Sequence, residues 1–167
     1  RSYKGASIQY RVEELALGTG GGLLISAKGL NEPFIVLNGD TFFEVDLNEL
    51  YFYHEKNRSE WTISLFRTNN FQRYMPLELS SSGLITKTKR KNQKSTYLAN
   101  GGVYLISPSA LKGFKKIYNK KISLEGELLP KCLKNGKALY GLEFSTSFID
   151  IGIPEDYYRA QEFFSHK

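Results

Sequence analysis

A continuous apolar run at residues 34–37 breaks off at Asn38-Gly39-Asp40, and shortly afterwards Asp46 opens an amphipathic helix. This junction constrains the fold more than any other feature of the chain. Four consecutive apolar residues are of strand length and read as a strand buried on both faces of a parallel sheet. Asp46 and Glu49 form a capping-box pair, in which each side chain can reach the other's backbone N–H. Leu47, Leu50, Tyr51 and His54 then recur on one helical face. On this spacing His54 reads as a residue at the margin of the packed face, not as a catalyst. Strand, polar turn and helix in this order form the repeating unit of α/β folds.

The rest of the chain extends the alternation. Residues 8–13 read as a short strand, and residues 18–22 as a glycine-rich turn leading into a helix over 23–27, which Gly29 and Pro33 close. Residues 61–66 form a second core strand, with strand-like pieces at 77–79, 84–86 and 103–106. Ser123 reads as an N-cap with Glu125 in the first turn, where the helix dipole favours a carboxylate. Pro130 opens another short helix that ends near Asn135 and Gly136. Residues 138–144 form a further strand. Pro154 opens the last helix, with Tyr157, Ala160 and Phe164 as its buried stripe. The pattern predicts an α/β fold with a mainly parallel mixed sheet layered by helices on both faces. The strand-rich middle section predicts a smaller antiparallel or mixed sheet over part of the site.

The 167 residues, 41% of them apolar, suffice for one packed domain and leave little room for two. No apolar run is long enough to cross a bilayer, and no signal peptide is recognisable. Cys132 is the only cysteine, so neither an internal disulfide nor a cysteine-based zinc cluster can form; this suits a reducing, cytoplasmic setting. Much of the net charge of +6 sits in Lys87, Lys89, Arg90, Lys91 and Lys94. A solvated loop or hairpin explains such a run; a nucleic acid or a phosphate-bearing small molecule is the competing explanation.

Four short pieces carry chemical potential. Leu17-Gly18-Thr19-Gly20-Gly21 precedes a helix, so its backbone can approach a charged or flat ligand and the helix start offers free N–H groups; a flexible turn would look the same. It is neither a Walker loop nor the dinucleotide fingerprint. Asn38, Gly39 and Asp40 follow the buried strand, where ligands of open α/β sheets collect. A carboxylate there suits Mg²⁺, which takes one or two carboxylates plus phosphates and water; these residues also simply favour turns. Asp150, in Phe148-Ile149-Asp150-Ile151-Gly152, could supply a second carboxylate to the same ion, or could hydrogen-bond backbone ahead of the last helix. Asn100 beside Gly101 and Gly102 can meet sugar hydroxyls, or can mark a bulged strand.

Taken together and in this order, residues 14–22, 36–46, 71–74 (Phe-Gln-Arg-Tyr), 100–104, 123–130 and 148–157 resemble the sugar-1-phosphate nucleotidyltransferase family. The bacterial mannose-1-phosphate and D-glycero-D-manno-heptose 1-phosphate guanylyltransferases are nearest in pattern. The resemblance covers nearly the whole chain and implies a Rossmann-like three-layer α/β/α sandwich, as a single domain over residues 1–167. It implies nucleotidyl transfer from a nucleoside triphosphate, with GTP favoured, to a sugar 1-phosphate, for nucleotide-sugar and polysaccharide biosynthesis. Leu17, Gly18, Thr19, Gly20, Gly21, Asn38 and Gly39 would contact the nucleotide. Tyr74, Asn100, Gly101 and Glu125 would contact the sugar. Asp40 and Asp150 would be the catalytic residues, as ligands of Mg²⁺. Neither nucleic acid nor membrane is implied as a partner; a homo-oligomer is compatible with the pattern.

The chain departs from the family in three places. The family's opening G-x-G-T-R-L and P-K-P signature does not occur, which predicts that the first strand or strands are missing, that the domain is truncated at its N-terminus and that this chain alone is inactive. A nucleotide-sugar-binding regulatory subunit of the same fold is the alternative this leaves. Met75-Pro76 stands where relatives carry Gly after Tyr74, and Lys89-Arg90 where an acidic residue is common; both bear on sugar identity.

Overall fold

The computed structural model describes residues 1–70, 72–74, 76–88, 96–114 and 121–165. The described elements begin with a small hairpin of β1 (Ser2–Tyr3) and β2 (Ala6–Ser7). Then come α1 (Gly18–Ser26), β3 (Phe34–Leu37), β4 (Thr41–Phe43), α2 (Leu47–Lys56) and β5 (Trp61–Thr68). Next are β6 (Pro76–Leu79), β7 (Ile85–Thr88) and β8 (Tyr97–Ile106). A π-helical turn (Leu124–Leu128), α3 (Leu129–Lys134), β9 (Leu139–Glu143), β10 (Phe148–Asp150) and α4 (Pro154–Ser165) complete the chain.

One mixed sheet of six strands organises the molecule, in the order β7-β6-β8-β5-β9, with β3 also paired to β8. The α/β expectation holds, but the sheet is not mainly parallel. Among its described ladders only β5 with β9 is parallel; β3, β5 and β6 all pair antiparallel with β8. The reason is positional. β3, β5 and β9 share a direction, as helix-linked strands should. The long β8 arrives from the β6–β7 hairpin and lies between β3 and β5, against both. That hairpin extends the main sheet; the separate small sheet is instead the antiparallel ribbon of β4 and β10.

Helices cover both faces. Along β5, Trp61, Ile63 and Leu65 point to the face covered by α1, the π-helical turn and α3, where Leu24, Leu124, Leu128, Leu129 and Cys132 are buried. Phe66 points to the other face, with Leu50 of α2 and with Phe43, Val103, Leu105 and Phe144. Strict period-two alternation therefore feeds two cores from one strand. Asp46 caps α2 as the sequence requires, accepting from the N–H groups of Asn48 and Glu49 at 2.8 and 3.2 Å.

Four local expectations fail. Residues 8–13 are not a strand, and the hairpin before them takes the pairing. The glycines at 18–22 are not a turn but the first turns of α1. β3 is not buried on both faces: Ile35 and Leu37 are 43% and 64% exposed, and among the described residues the strand pairs only with β8. In α4, Ala160 and Asp156 are buried while Tyr157 and Phe164 are exposed: the helix docks by the Arg73–Asp156 ion pair together with Ala160 and the edge-on contacts of Phe163 and Phe164 with Phe42, not by the 157–160–164 stripe.

His54 is fully packed, at 1% exposure. Its Nε2 lies 2.8 Å from Ser107 Oγ, which itself donates to the carbonyl of Ser59, and its Nδ1 lies 2.9 Å from Thr62 Oγ1. Because the serine proton is committed to the carbonyl, His54 must donate through Nε2 and accept through Nδ1, and the ring is neutral. Burial accordingly lowers its pKa. Below pH 6.5 the unfolded chain takes up a proton that the folded ring resists, so this group's stabilising contribution is full above that pH and is lost as pH falls. Urea midpoints should therefore drop for the wild type between pH 7 and 5.5, and less steeply for His54→Gln; equal slopes would contradict the assignment.

Candidate functional site

The site is built at the end of β3, where the apolar run gives way to Asn38-Gly39-Asp40. Backbone pairing continues for one residue, with the Asn38 N–H donating to Gly102 O at 2.9 Å, and then the chain leaves the sheet. Gly39 and Asp40 are exposed, and a Cβ on Gly39 would meet nothing within 4 Å. Asn38 therefore sits between packed strand and open surface.

Opposite it, β8 carries a bulge. Leu65 pairs with Asn100 and Ile63 with Tyr104, so a single β5 residue, Ser64, faces residues 101–103. Gly102 adopts φ +79°, and a Cβ there would lie 2.7 Å from Thr41 Oγ1 and 2.9 Å from Asn38 Nδ2. Glycine at this position is thus required twice, by backbone and by space. In a regular strand, residues four apart are separated by about 13 Å. The bulge brings Asn100 Nδ2 to 2.5 Å from the Tyr104 hydroxyl. That hydroxyl also donates to Glu125 Oε1 at 3.1 Å and is hydrogen-bonded by the Asn38 side chain. Asn100 Oδ1 accepts the Gly102 N–H at 3.0 Å. Burial, followed by the Glu125 charge, drives the Tyr104 phenol pKa far up, so it stays protonated.

Glu125 is placed by Ser123, whose Oγ accepts the Gly126 N–H at 3.0 Å and caps the π-helical turn. The glycine segment supports this turn from below. The N–H groups of Gly20 and Gly21 donate to Ile122 O at 2.9 and 3.4 Å, and Thr19 Oγ1 accepts the Leu124 N–H at 2.8 Å. Gly18, at φ +71°, would place a Cβ 2.6 Å from Ile122 O. The close backbone approach expected of these glycines is therefore made by the chain's own residue 122. Leu17, Gly20 and Gly21 are buried, and Thr19 alone of this segment is exposed.

A second group adjoins the first through the β4–β10 ribbon. Asp150 pairs with Thr41, and the Ile151 N–H donates to Asp40 O at 2.9 Å, so the two aspartates lie at successive pairs of the ribbon, one on each segment. Asp150 Oδ1 accepts the Gly152 N–H at 2.8 Å and meets Arg73 Nη2 at 3.0 Å. Arg73 also donates to the Asp150 carbonyl at 2.9 Å and pairs through Nη1 with the buried Asp156 of α4. Tyr74 stacks edge-on against Phe66 and Phe148 and hydrogen-bonds Asp150. Burial, then the charge on Asp150, pushes its pKa up to about 12. Asp40 is exposed, and its carboxylate has no partner among the described residues.

The structure thus gathers Asn38, Gly39, Asp40, Tyr74, Asn100, Gly101, Glu125 and Asp150 at one end of the sheet. The sequence reading missed two residues that organise them, Tyr104 and Arg73, although both stand inside the motifs it used. Gly101 serves packing, since a Cβ there would lie 2.3 Å from the Phe43 ring. Lys89, Arg90, Lys91, Lys94, Phe71 and Met75 lie outside the described residues. A cleft of about 950 Å³ lies elsewhere, between the end of α1 and residues 107–112 at the other end of β3.

The exposed Asp40 carboxylate, with no partner among the described residues and with Asp150 at the next position of the ribbon, is of the donor type that a hard divalent cation takes. Among the described residues no cluster of three acidic, histidine or cysteine ligands exists, so such an ion would take its other ligands from substrate and water.

Comparison with known proteins agrees with this architecture. The Nucleotidyl transferase family model matches residues 1–167, and the chain belongs to that family. The D-glycero-alpha-D-manno-heptose 1-phosphate guanylyltransferase of Campylobacter jejuni is 36% identical over 93% of this chain and 67% of its own length. The enzyme of the same name from Aneurinibacillus thermoaerophilus is 34% identical over 98% and 70%. The crystal structure of HddC from Yersinia pseudotuberculosis, also known as a complex with GMP-PN, superposes with a TM-score of 0.74 at 32% identity, over 91% of this chain and 64% of that one. The chain spans about two thirds of the length of these relatives. Among the described residues, no helix is long and apolar enough to cross a membrane.

Arg73 is 19% exposed and Asp156 7%. Arg73→Ala strands a buried carboxylate that only the exposed Arg159 can still reach, so it should cost about 2 kcal/mol in urea unfolding. Hydrogen exchange should speed up over residues 148–165 first.

Proposed function

We propose that this chain carries the sugar-binding and metal-binding part of a guanylyltransferase site, which transfers the nucleotidyl group of GTP to a sugar 1-phosphate and releases pyrophosphate. The observation that carries the reading is the convergence of Asn38, Asn100 and Glu125 on one side and Asp40 and Asp150 on the other, around a single strand end. Guanine is favoured by the names of the relatives and by the GMP-PN complex of a structural neighbour. Heptose or mannose is favoured by those names alone.

In this reading the half-buried Asn38, Asn100 and Glu125 hold the sugar end of the substrate by its hydroxyl groups. Asp40 and Asp150 hold Mg²⁺, which supplies charge neutralisation for the triphosphate and the departing pyrophosphate. The sugar phosphate is already anionic near neutral pH, so the chain's task is alignment rather than proton removal. Arg73 keeps the Asp150 carboxylate turned to the Asp40 edge. The glycine segment contributes by seating the turn that bears Glu125, through Thr19 and the Leu124 N–H, and its exposed Thr19 is the residue left to touch a nucleotide.

Calorimetric titration of the chain with GTP and Mg²⁺ tests this, followed by a pyrophosphate-release assay with mannose 1-phosphate. Metal-dependent GTP binding is expected and should fall at least tenfold in Asp40→Asn. Thermal stability should barely change in that variant, because the carboxylate is exposed and without a partner. Absence of heat with the wild type, or unchanged binding in Asp40→Asn, would overturn the reading. Binding without pyrophosphate release is the outcome expected of a chain that carries only this part of the site.

A further inference from the structure

The Tyr104 hydroxyl lies at the centre of the Asn38–Asn100–Glu125 group, fully buried, and a count of protons fixes its neighbours. A tyrosine hydroxyl has one proton to donate and two lone pairs that accept. Its partner Glu125 is an acceptor and receives that proton. Both remaining partners must then be donors, so Asn38 and Asn100 must each turn their Nδ2 groups to the tyrosine. For Asn100 the same orientation follows independently, because the Gly102 N–H requires Oδ1 on its other side. For Asn38 nothing else among the described residues sets it. The outcome is that Asn38 Oδ1 and Glu125 Oε2 make no hydrogen bond to any described residue, and both belong to half-buried residues.

We propose that Tyr104 is a positioning residue that gives this site its acceptor polarity. By spending its proton on Glu125 and its lone pairs on one N–H of each amide, it leaves Asn38 Oδ1 and Glu125 Oε2 as acceptors for a ligand. The surface so formed takes groups that donate, the vicinal hydroxyls of a sugar or ribose, and discriminates against deoxy analogues, whose missing hydroxyl leaves those oxygens unpaired. The bulge at Gly101 and Gly102 exists in this account to bring Asn100 within reach of Tyr104. The Trp61 ring, edge-on to Tyr104 at 6.4 Å, holds the phenol in place. The inference rests on the proposed function only for the identity of the ligand; the orientation of the amides stands without it.

The test uses Tyr104→Phe in the full chain and reads two quantities. The first needs no ligand: the side-chain amide NMR signals of Asn38 and Asn100. Both are expected to shift in Tyr104→Phe, and Asn38 to lose protection from solvent exchange. The second is binding of mannose 1-phosphate and its 2-deoxy analogue in the presence of GTP and Mg²⁺. Wild type should prefer the hydroxylated ligand at least tenfold, and the variant should lose most of that preference while binding of the deoxy ligand changes less than twofold. Asn amide signals that stay in place overturn the proposal whatever the binding result, as does a variant that keeps the full preference. If the wild type binds neither ligand, the functional reading falls, and the amide signals still decide the role of Tyr104. Should Tyr104→Phe not fold, Asn38→Asp removes one of the two amide donors at a half-buried position. It should shift the Asn100 amide in the same way, and an unmoved signal there overturns the proposal.

Discussion

The rest of the molecule depends on β8 being paired along both edges. One edge holds β5, and the other is divided between β6 and β3. Because β8 runs against its neighbours, it ties the helix-linked strands β3 and β5 into one sheet although no ladder joins them. Its burial is nearly complete, with Ala99, Tyr104 and Ile106 at 0% exposure. A strand held so firmly can carry a local irregularity without losing register. The bulge at its centre is where a structural element becomes a site, since of the two glycines that relax the pairing Gly102 admits Asn38 and Thr41 to close contact and Gly101 admits the Phe43 ring. Of the two readings of residues 100–102 in the sequence, the bulged strand is found, and it turns the Asn100 amide to Tyr104 and to the Gly102 N–H.

Electrostatics divides the two aspartates. Asp150 is partly buried and answered by a guanidinium and a backbone N–H, while Asp40 stands in water. A buried carboxylate without such partners would be costly. The arrangement keeps one acid fixed and the other available. Arg73 reaches Asp150, its carbonyl and Asp156 at once, so polar contacts join α4 to the β4–β10 ribbon beside the aromatic packing of Phe42 on Phe163 and Phe164 and of Phe148 on Phe66.

What could be read from the sequence was local. Asp46 as a cap, Ser123 as a cap, Pro154 at a helix start and the strand over 61–66 all rest on near-neighbour chemistry, and all are found. The nearness of Asp40 to Asp150 could be supposed only from a resemblance, because it is made by pairing across more than a hundred residues. β3 was misread because an apolar run looks the same whether both of its edges are paired or one. The glycines at 18–22 were taken for a turn because glycine disfavours helices; close packing against residue 122 overrides that preference. Tyr104 was given no role because a tyrosine in an apolar strand gives no sign of where its hydroxyl ends. Arg73 had no periodicity to mark it at all.

The open side of β3 has a further consequence. Phe34–Leu37 pairs with β8 along one edge only, and the other edge has no strand partner among the described residues, with Ile35 and Leu37 exposed beside it. Bare amide and carbonyl groups next to aliphatic side chains are a template for intermolecular strand addition. No lysine, proline or bulge inside the strand guards it. Strand addition at this edge would run along four residues, immediately ahead of the turn that carries Asp40.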